Sequence, residues 1–158
     1  VGHFAMSMQQ LAQMNLFDRL NEAVLVKQKP ILGICLGMQL MAKSSEEGNV
    51  AGLGWVDAQI VRFNVSNTLK YKVPHIGWNQ IIHNQQNPLM KGIPNLAAFY
   101  FVHSYHAVVE QPKLTLNETE YGYKFCSAFE KGNIFGVQYH PEKSHEVGNL
   151  LLKNFIDL

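Results

Sequence analysis

Cysteine is scarce in this sequence. Two are present among 158 residues, Cys35 and Cys126, and they stand far apart. That excludes a disulfide framework and a paired-cysteine zinc site, and it points to a reducing, cytoplasmic setting. Charge is also thin. Asp, Glu, Lys and Arg make up 16% and the formal net charge is +1, with no basic run. This argues against nucleic acid or an anionic membrane as the main partner. Long hydrophobic runs are missing too. The most apolar stretch, Ile31 to Ala42, contains Gln39 and two glycines and falls short of the ~18 residues a spanning helix needs. There is no internal repeat, low-complexity tract, linker or signal peptide with a basic start. What remains is a globular balance, 47% apolar, at a length that suits one domain spanning 1–158.

The patterning predicts an α/β domain with a predominantly parallel central sheet and an antiparallel strand cluster. Met6 to Leu20 carries apolar side chains at Met6, Leu11, Met14 and Leu20 and predicts an amphipathic helix. Residues 31–34 predict a short buried strand, and 36–43, rich in Leu, Met, Gln, Ala and Lys, a helix. Ser44 to Gly54 reads as a loop. Trp55 to Phe63, His75 to His83 and Ala98 to Val109 read as strands, the last broken around residues 103–106. Tyr123 to Phe129 and Asn133 to Tyr139 form a predicted hairpin about Gly132. Val147 to Ile156 closes the chain as a helix.

Cys35 falls at the strand-to-helix turn, inside Gly33-Ile-Cys-Leu-Gly37. This is the cysteine form of a nucleophile elbow. Glycines two residues to either side allow close approach of neighbouring chain. The helix N-terminus that follows is expected to stabilise a thiolate and lower its pKa. The Leu36 N–H is free to bind a developing oxyanion. A thiol needs a base, and the base an orienting group. His140-Pro141-Glu142, after the apolar strand 134–139, supplies both. In extended geometry residues i and i+2 point the same way, so Glu142 can set the His140 tautomer. Each motif also has a bland reading, as a buried structural Cys and as a polar strand end.

Together they resemble the signatures of class I glutamine amidotransferases: Gly33-Ile-Cys-Leu-Gly-Met-Gln39 and Val137-Gln-Tyr-His-Pro-Glu142. Four further segments resemble one branch, the glutaminase subunit of imidazole glycerol phosphate synthase. They are Gly52-Leu-Gly-Trp55, Pro74-His-Ile-Gly-Trp-Asn79, Phe99-Tyr-Phe-Val-His-Ser-Tyr-His106 and His140-Pro-Glu-Lys-Ser144. The resemblance implies a doubly wound, flavodoxin-like fold. It also implies that roughly forty to fifty N-terminal residues of the family precede Val1, which would match the end of a Pro-Gly-Val-Gly turn.

By the same resemblance, Cys35 attacks glutamine, His140 and Glu142 complete the triad, and the backbone of Val1 or Gly2 joins Leu36 in the oxyanion hole. Gly37 and Gln39 sit beside the substrate, and the backbone of Ser104, Tyr105 and His106 meets its α-groups. Pro74, His75, Gly77, Trp78, Asn79 and Lys143 face a (β/α)8-barrel synthase subunit that receives ammonia through a channel and raises an otherwise low glutaminase rate. No cofactor and no metal is implied. His75, His103 and His106 lack metal-ligand spacing. Trp55 reads as a core aromatic and Cys126 as a small buried hydrophobe. His145 reads as polar surface, although a His there also fits branches that amidate surface-polysaccharide sugars. A stand-alone γ-glutamyl cysteine hydrolase and a silent binding module remain the alternatives.

Overall fold

The computed structural model describes residues 2–158. The chain begins with helices α1 (Phe4–Gln13) and α2 (Phe17–Asn21) and a π-helical turn, Glu22–Val26. The single helix expected over residues 6–20 is broken at Asn15, whose φ of 53° ends α1. Its inward face is also different. Phe4 and Met8, one turn apart, pack inward, whereas Met6 and Met14 are exposed.

Strand β1 (Ile31–Ile34) leads through Cys35 into α3 (Leu36–Leu40), which is shorter than the predicted 36–43. The chain leaves the helix at Met41 because residues 42–45 form β2, hydrogen-bonded alongside β4. There follow β3 (Val50–Ala51), β4 (Val56–Arg62), β5 (His75–Gln80), β6 (Ile82–His83), β7 (Ala98–His103) and β8 (Tyr105–Val109). Then come β9 (Thr115–Glu120), β10 (Lys124–Lys131), β11 (Ile134–Val137) and α4 (His145–Ile156). The hairpin of β10 and β11 turns at Gly132, with φ of 62°, as its sequence predicts.

Among the described residues, a nine-stranded sheet runs β1-β11-β10-β8-β4-β2-β3, with β9 on β10 and β6 on β9, while β5 and β7 form a separate ribbon. The class is α/β, with a mixed, curled sheet flanked by helices. Within residues 2–158 the expected predominance of parallel pairing does not hold. Only β1–β11 and β2–β4 are parallel. Parallel neighbours need a long crossover, and the tight turns about Gly122 and Gly132 impose antiparallel pairing of β9 with β10 and of β10 with β11 instead.

The sheet buries side chains on both faces. Neighbours in sequence divide between two apolar clusters: Leu32, Ala128 and Phe135 in one, Ile31, Phe129 and Ile134 in the other. Leu151 of α4 covers the first and Met38 of α3 the second. Each fully buried Phe or Leu contributes roughly 1.5–3 kcal/mol. Register then places the site. Ile34 lies opposite Val137, so Cys35 and Gln138 leave the ends of adjacent parallel strands side by side.

Candidate active site

Cys35 sits at φ 49° and ψ −106°, a conformation that L side chains rarely adopt. Its amide donates to the Val137 carbonyl at 2.8 Å, and its own carbonyl accepts from Gln39 N–H at 3.2 Å, so both strand and helix hold it there. Gly33 makes the bend possible. A Cβ there would stand 2.6 Å from backbone atoms of Gly37 and Met38. Gly37 has another part: a Cβ there would meet nothing within 4 Å, so this glycine leaves open space beside the elbow and is not a packing glycine.

Cys35 is 5% exposed. Burial pushes its pKa up, and the charge of Glu142 adds to that, while the Leu36 N–H and Gln138 pull it down. The lowered pKa expected from the helix N-terminus is therefore overturned. A five-residue helix is a weak dipole, and desolvation outweighs it.

His140 donates its amide to the Tyr100 carbonyl at 2.9 Å. Its Nδ1 lies 2.6 Å from Glu142 Oε1. This contact does not come from extended geometry as expected. Pro141–Lys143 is a 3-10 turn capped by His140, and it brings the carboxylate back onto the ring. With Nδ1–H donating to the carboxylate, Nε2 carries the lone pair. That nitrogen is buried and has no hydrogen-bond partner among the described residues. The Cys35 Sγ points to the Val102 carbonyl at 3.9 Å. Tyr100 and Val102 are two apart on β7, so the backbone positions that hold the imidazole and the sulfur are spaced by roughly 7 Å along one strand.

A cavity of about 60 Å³ opens here, lined by Gly2, Cys35, Leu36, Gln39, Glu47, His103, Ser104 and Tyr105. The structure thus gathers Cys35, Leu36, Gly2, Gln39, Ser104 and Tyr105. Val1 lies outside the described residues. His106 turns away: its buried ring donates to or accepts from Tyr123 Oη at 2.8 Å and packs on Phe63. Alternation along β8 puts it on the face opposite Tyr105. Sequence reasoning did not single out Glu47 or Gln138. Gln138 donates to Cys35 Sγ at 3.6 Å.

Around the ribbon, Pro74, Ile76, Trp78 and Lys143 are exposed, and Gly77 and Asn79 are half-buried. Trp78 stacks on His145, with ring centroids 5.1 Å apart, and Lys143 lies over the Tyr100 ring at 5.8 Å. His75 does not belong to this surface. Its ring is 2% exposed and bonded to His103, because inward and outward side chains alternate along β5. Trp55 is buried as expected, and so is Cys126, whose thiol burial pushes up to about 12. A larger depression of about 830 Å³ near His83, Asn87 and Lys91 contains no residue of the Cys35 cluster. Among the described residues, no group of three or more His, Cys, Asp or Glu is placed to hold a metal ion, and no helix is long and apolar enough to cross a membrane.

Residues 12–158 match the model of the glutamine amidotransferase class-I family. The chain belongs to this family. It is 47% identical over 156 residues to an imidazole glycerol phosphate synthase subunit HisH of Methanococcus maripaludis, covering 99% of this chain and 76% of that protein. It is 46% identical over 158 residues to a subunit of the same name from Pseudomonas aeruginosa, covering 100% of this chain and 77% of that protein. Among solved structures it resembles a glutamine amidotransferase from Thermotoga maritima, with a TM-score of 0.64 at 21% identity. That match spans 99% of this chain but 59% of that one, and it bears on the fold. The elbow at Cys35 and the cavity beside it thus lie in a class I amidotransferase domain. His140 is not among the residues that line this cavity, and its Nε2 is not within hydrogen-bond reach of the Cys35 sulfur.

Proposed function

We propose that the chain hydrolyses glutamine through a γ-glutamyl thioester on Cys35 and delivers the ammonia to a synthase subunit. The most similar curated relatives given above support imidazole glycerol phosphate formation, a step of histidine biosynthesis in the cytoplasm, as the use of that ammonia. The observation that carries the reading is the bare, buried Nε2 of His140, whose other nitrogen is held by Glu142. A buried nitrogen lone pair left without a partner is costly, and accepting the proton of Cys35 would give it a purpose.

The raised thiol pKa means that Cys35 rests protonated. His140 Nε2 takes the Sγ proton as sulfur attacks the carboxamide carbon. The oxygen charge that develops falls to the Leu36 N–H. Collapse breaks the C–N bond, and imidazolium gives its proton to the departing nitrogen, which leaves as ammonia. Water, deprotonated by the same Nε2, then attacks the thioester, releasing glutamate and restoring the thiol. Glu47, at the cavity wall, suits the α-ammonium of an amino-acid substrate.

Ammonia protonated in bulk water is no nucleophile, so a sealed outlet has value. The exposed Ile76, Trp78 and Lys143, with His145 stacked on Trp78, form an apolar and aromatic surface suited to the synthase subunit. Tyr100 links that surface to His140, since its carbonyl holds the His140 amide. The test is glutamine hydrolysis by the protein bound to its synthase subunit. Cys35→Ala should lower turnover by about four orders of magnitude, while ammonia supplied directly still supports the synthase. A variant that kept the wild-type glutaminase rate would overturn the reading.

A further inference from the structure

A chain of six hydrogen bonds runs from the ribbon to the sulfur. Asn79 Nδ2 meets His75 Nε2 at 3.3 Å, and His75 Nδ1 meets His103 Nε2 at 3.0 Å. His103 Nδ1 meets the Tyr105 carbonyl at 2.7 Å, which also accepts from Gln39 Nε2 at 3.0 Å. Gln39 Nε2 donates to Gln138 Oε1 at 2.9 Å, and Gln138 Nε2 to Cys35 Sγ at 3.6 Å.

Every direction in this chain is determined. A carbonyl only accepts, so His103 carries its proton on Nδ1 and offers a lone pair at Nε2. His75 must then donate from Nδ1 and accept at Nε2. Asn79 is oriented to supply that donor, because its Oδ1 accepts from Gln80 N–H and its Nδ2 also donates to the Glu120 carbonyl. On the other side, both protons of Gln39 Nε2 are used, which leaves Gln138 its amide oxygen as acceptor and its nitrogen as donor. Gln138 can present only N–H to the sulfur.

Beyond Asn79 the chain is buried. Gln138 is fully buried, and Gln39, His75 and His103 are each at most 5% exposed. The imidazoles lie among Phe63, Phe101, Phe125 and Tyr121. Among the described residues, no charged side chain hydrogen-bonds to any link between Asn79 and Gln138. His75 and His103 face each other as cross-strand partners of β5 and β7, so the ribbon's register sets their contact.

We infer that Gln138 is a further catalytic residue, an N–H donor to the Cys35 sulfur in its ionised form. Gln39, His103, His75 and Asn79 are positioning residues that fix the direction of its amide and tie the sulfur to β5. The inference rests on Cys35 being the nucleophile. Its tests nevertheless read ionisation and tautomers, not glutamine turnover, and so succeed or fail apart from the Cys35→Ala experiment.

The first test needs no variant. Long-range proton–nitrogen NMR of the wild-type protein at about pH 7 should find His75 and His103 both neutral and protonated on Nδ1. Either ring on Nε2, or charged, overturns the relay. In the second, iodoacetamide alkylation of Cys35 is followed by peptide mass spectrometry, which separates it from Cys126. Gln138→Met, similar in length and without a donor, should slow alkylation at about pH 7.5 by roughly fivefold to tenfold. Asn79→Leu should slow it by about twofold. A Gln138→Met protein alkylated at the wild-type rate removes Gln138 from the machinery. If that variant does not fold, the wild-type tautomers still decide.

Discussion

At the scale of single residues, the two buried histidines make a measurable demand on the fold. Desolvation among aromatic rings lowers His75 from 6.5 to about 4 and His103 to about 3. Between those values and 6.5 the unfolded chain takes up protons that the folded protein refuses. Stability contributed by these rings in their neutral form is therefore full above the unfolded pKa and falls as pH drops toward the folded values. From about pH 7.5 to about pH 5 the loss should be about 2 kcal/mol for each ring. Urea denaturation at the two pH values checks this, and His75→Gln should show a smaller loss than wild type. Gln138 illustrates why such residues stay hidden in a sequence. The signal that would reveal it is the register of β1 against β11, a pairing of segments about a hundred residues apart. Cys35 is different, because the switch from strand to helix and the glycine that permits it lie within five residues.

At the scale of elements, the His140 turn is held by a peg. Ser144 Oγ donates to the His140 carbonyl at 2.6 Å and accepts from Tyr100 N–H at 3.0 Å, fully buried between β7 and α4. Gly148 lets α4 approach, since a Cβ there would fall 1.9 Å from the Pro141 carbonyl oxygen. Ser144→Ala leaves the Tyr100 N–H without its partner, while the His140 carbonyl keeps the Lys143 N–H, and should cost about 1–3 kcal/mol. Its kinetic mark is specific. Glutaminase kcat should fall while the alkylation rate of Cys35 stays near wild type, because the peg sets the imidazole and not the sulfur. Elements with apolar periodicity, such as β4, β7 and α4, were legible in the sequence. β9 was not, for its Thr115, Asn117 and Thr119 are buried polar residues satisfied by partners such as Tyr139 and Ser127. The link between His140 and Glu142 was legible and its shape was not, because a proline at that position suits a 3-10 turn as well as a strand.

At the scale of the whole molecule, the proposed site draws on β1, β7, β8, β11 and the turn before α4, which no short stretch of sequence contains. That separation is why the family motifs were readable and the mixed sheet was not: motifs are local, whereas the pairing of β10 with β8, β9 and β11 depends on which turns close the chain. Overall stability and chemistry then meet at one backbone angle. Cys35 holds a φ of 49°, a conformation whose strain is worth about 1–3 kcal/mol in a residue with a side chain. Glycine feels none of it. Of two inactive forms, Cys35→Gly should outlast Cys35→Ala on heating by about 1 kcal/mol, the reverse of their usual ranking, as calorimetry would register. This domain therefore carries its reactive atom at a standing cost in durability, and a chain selected only to endure heat would discard the thiol.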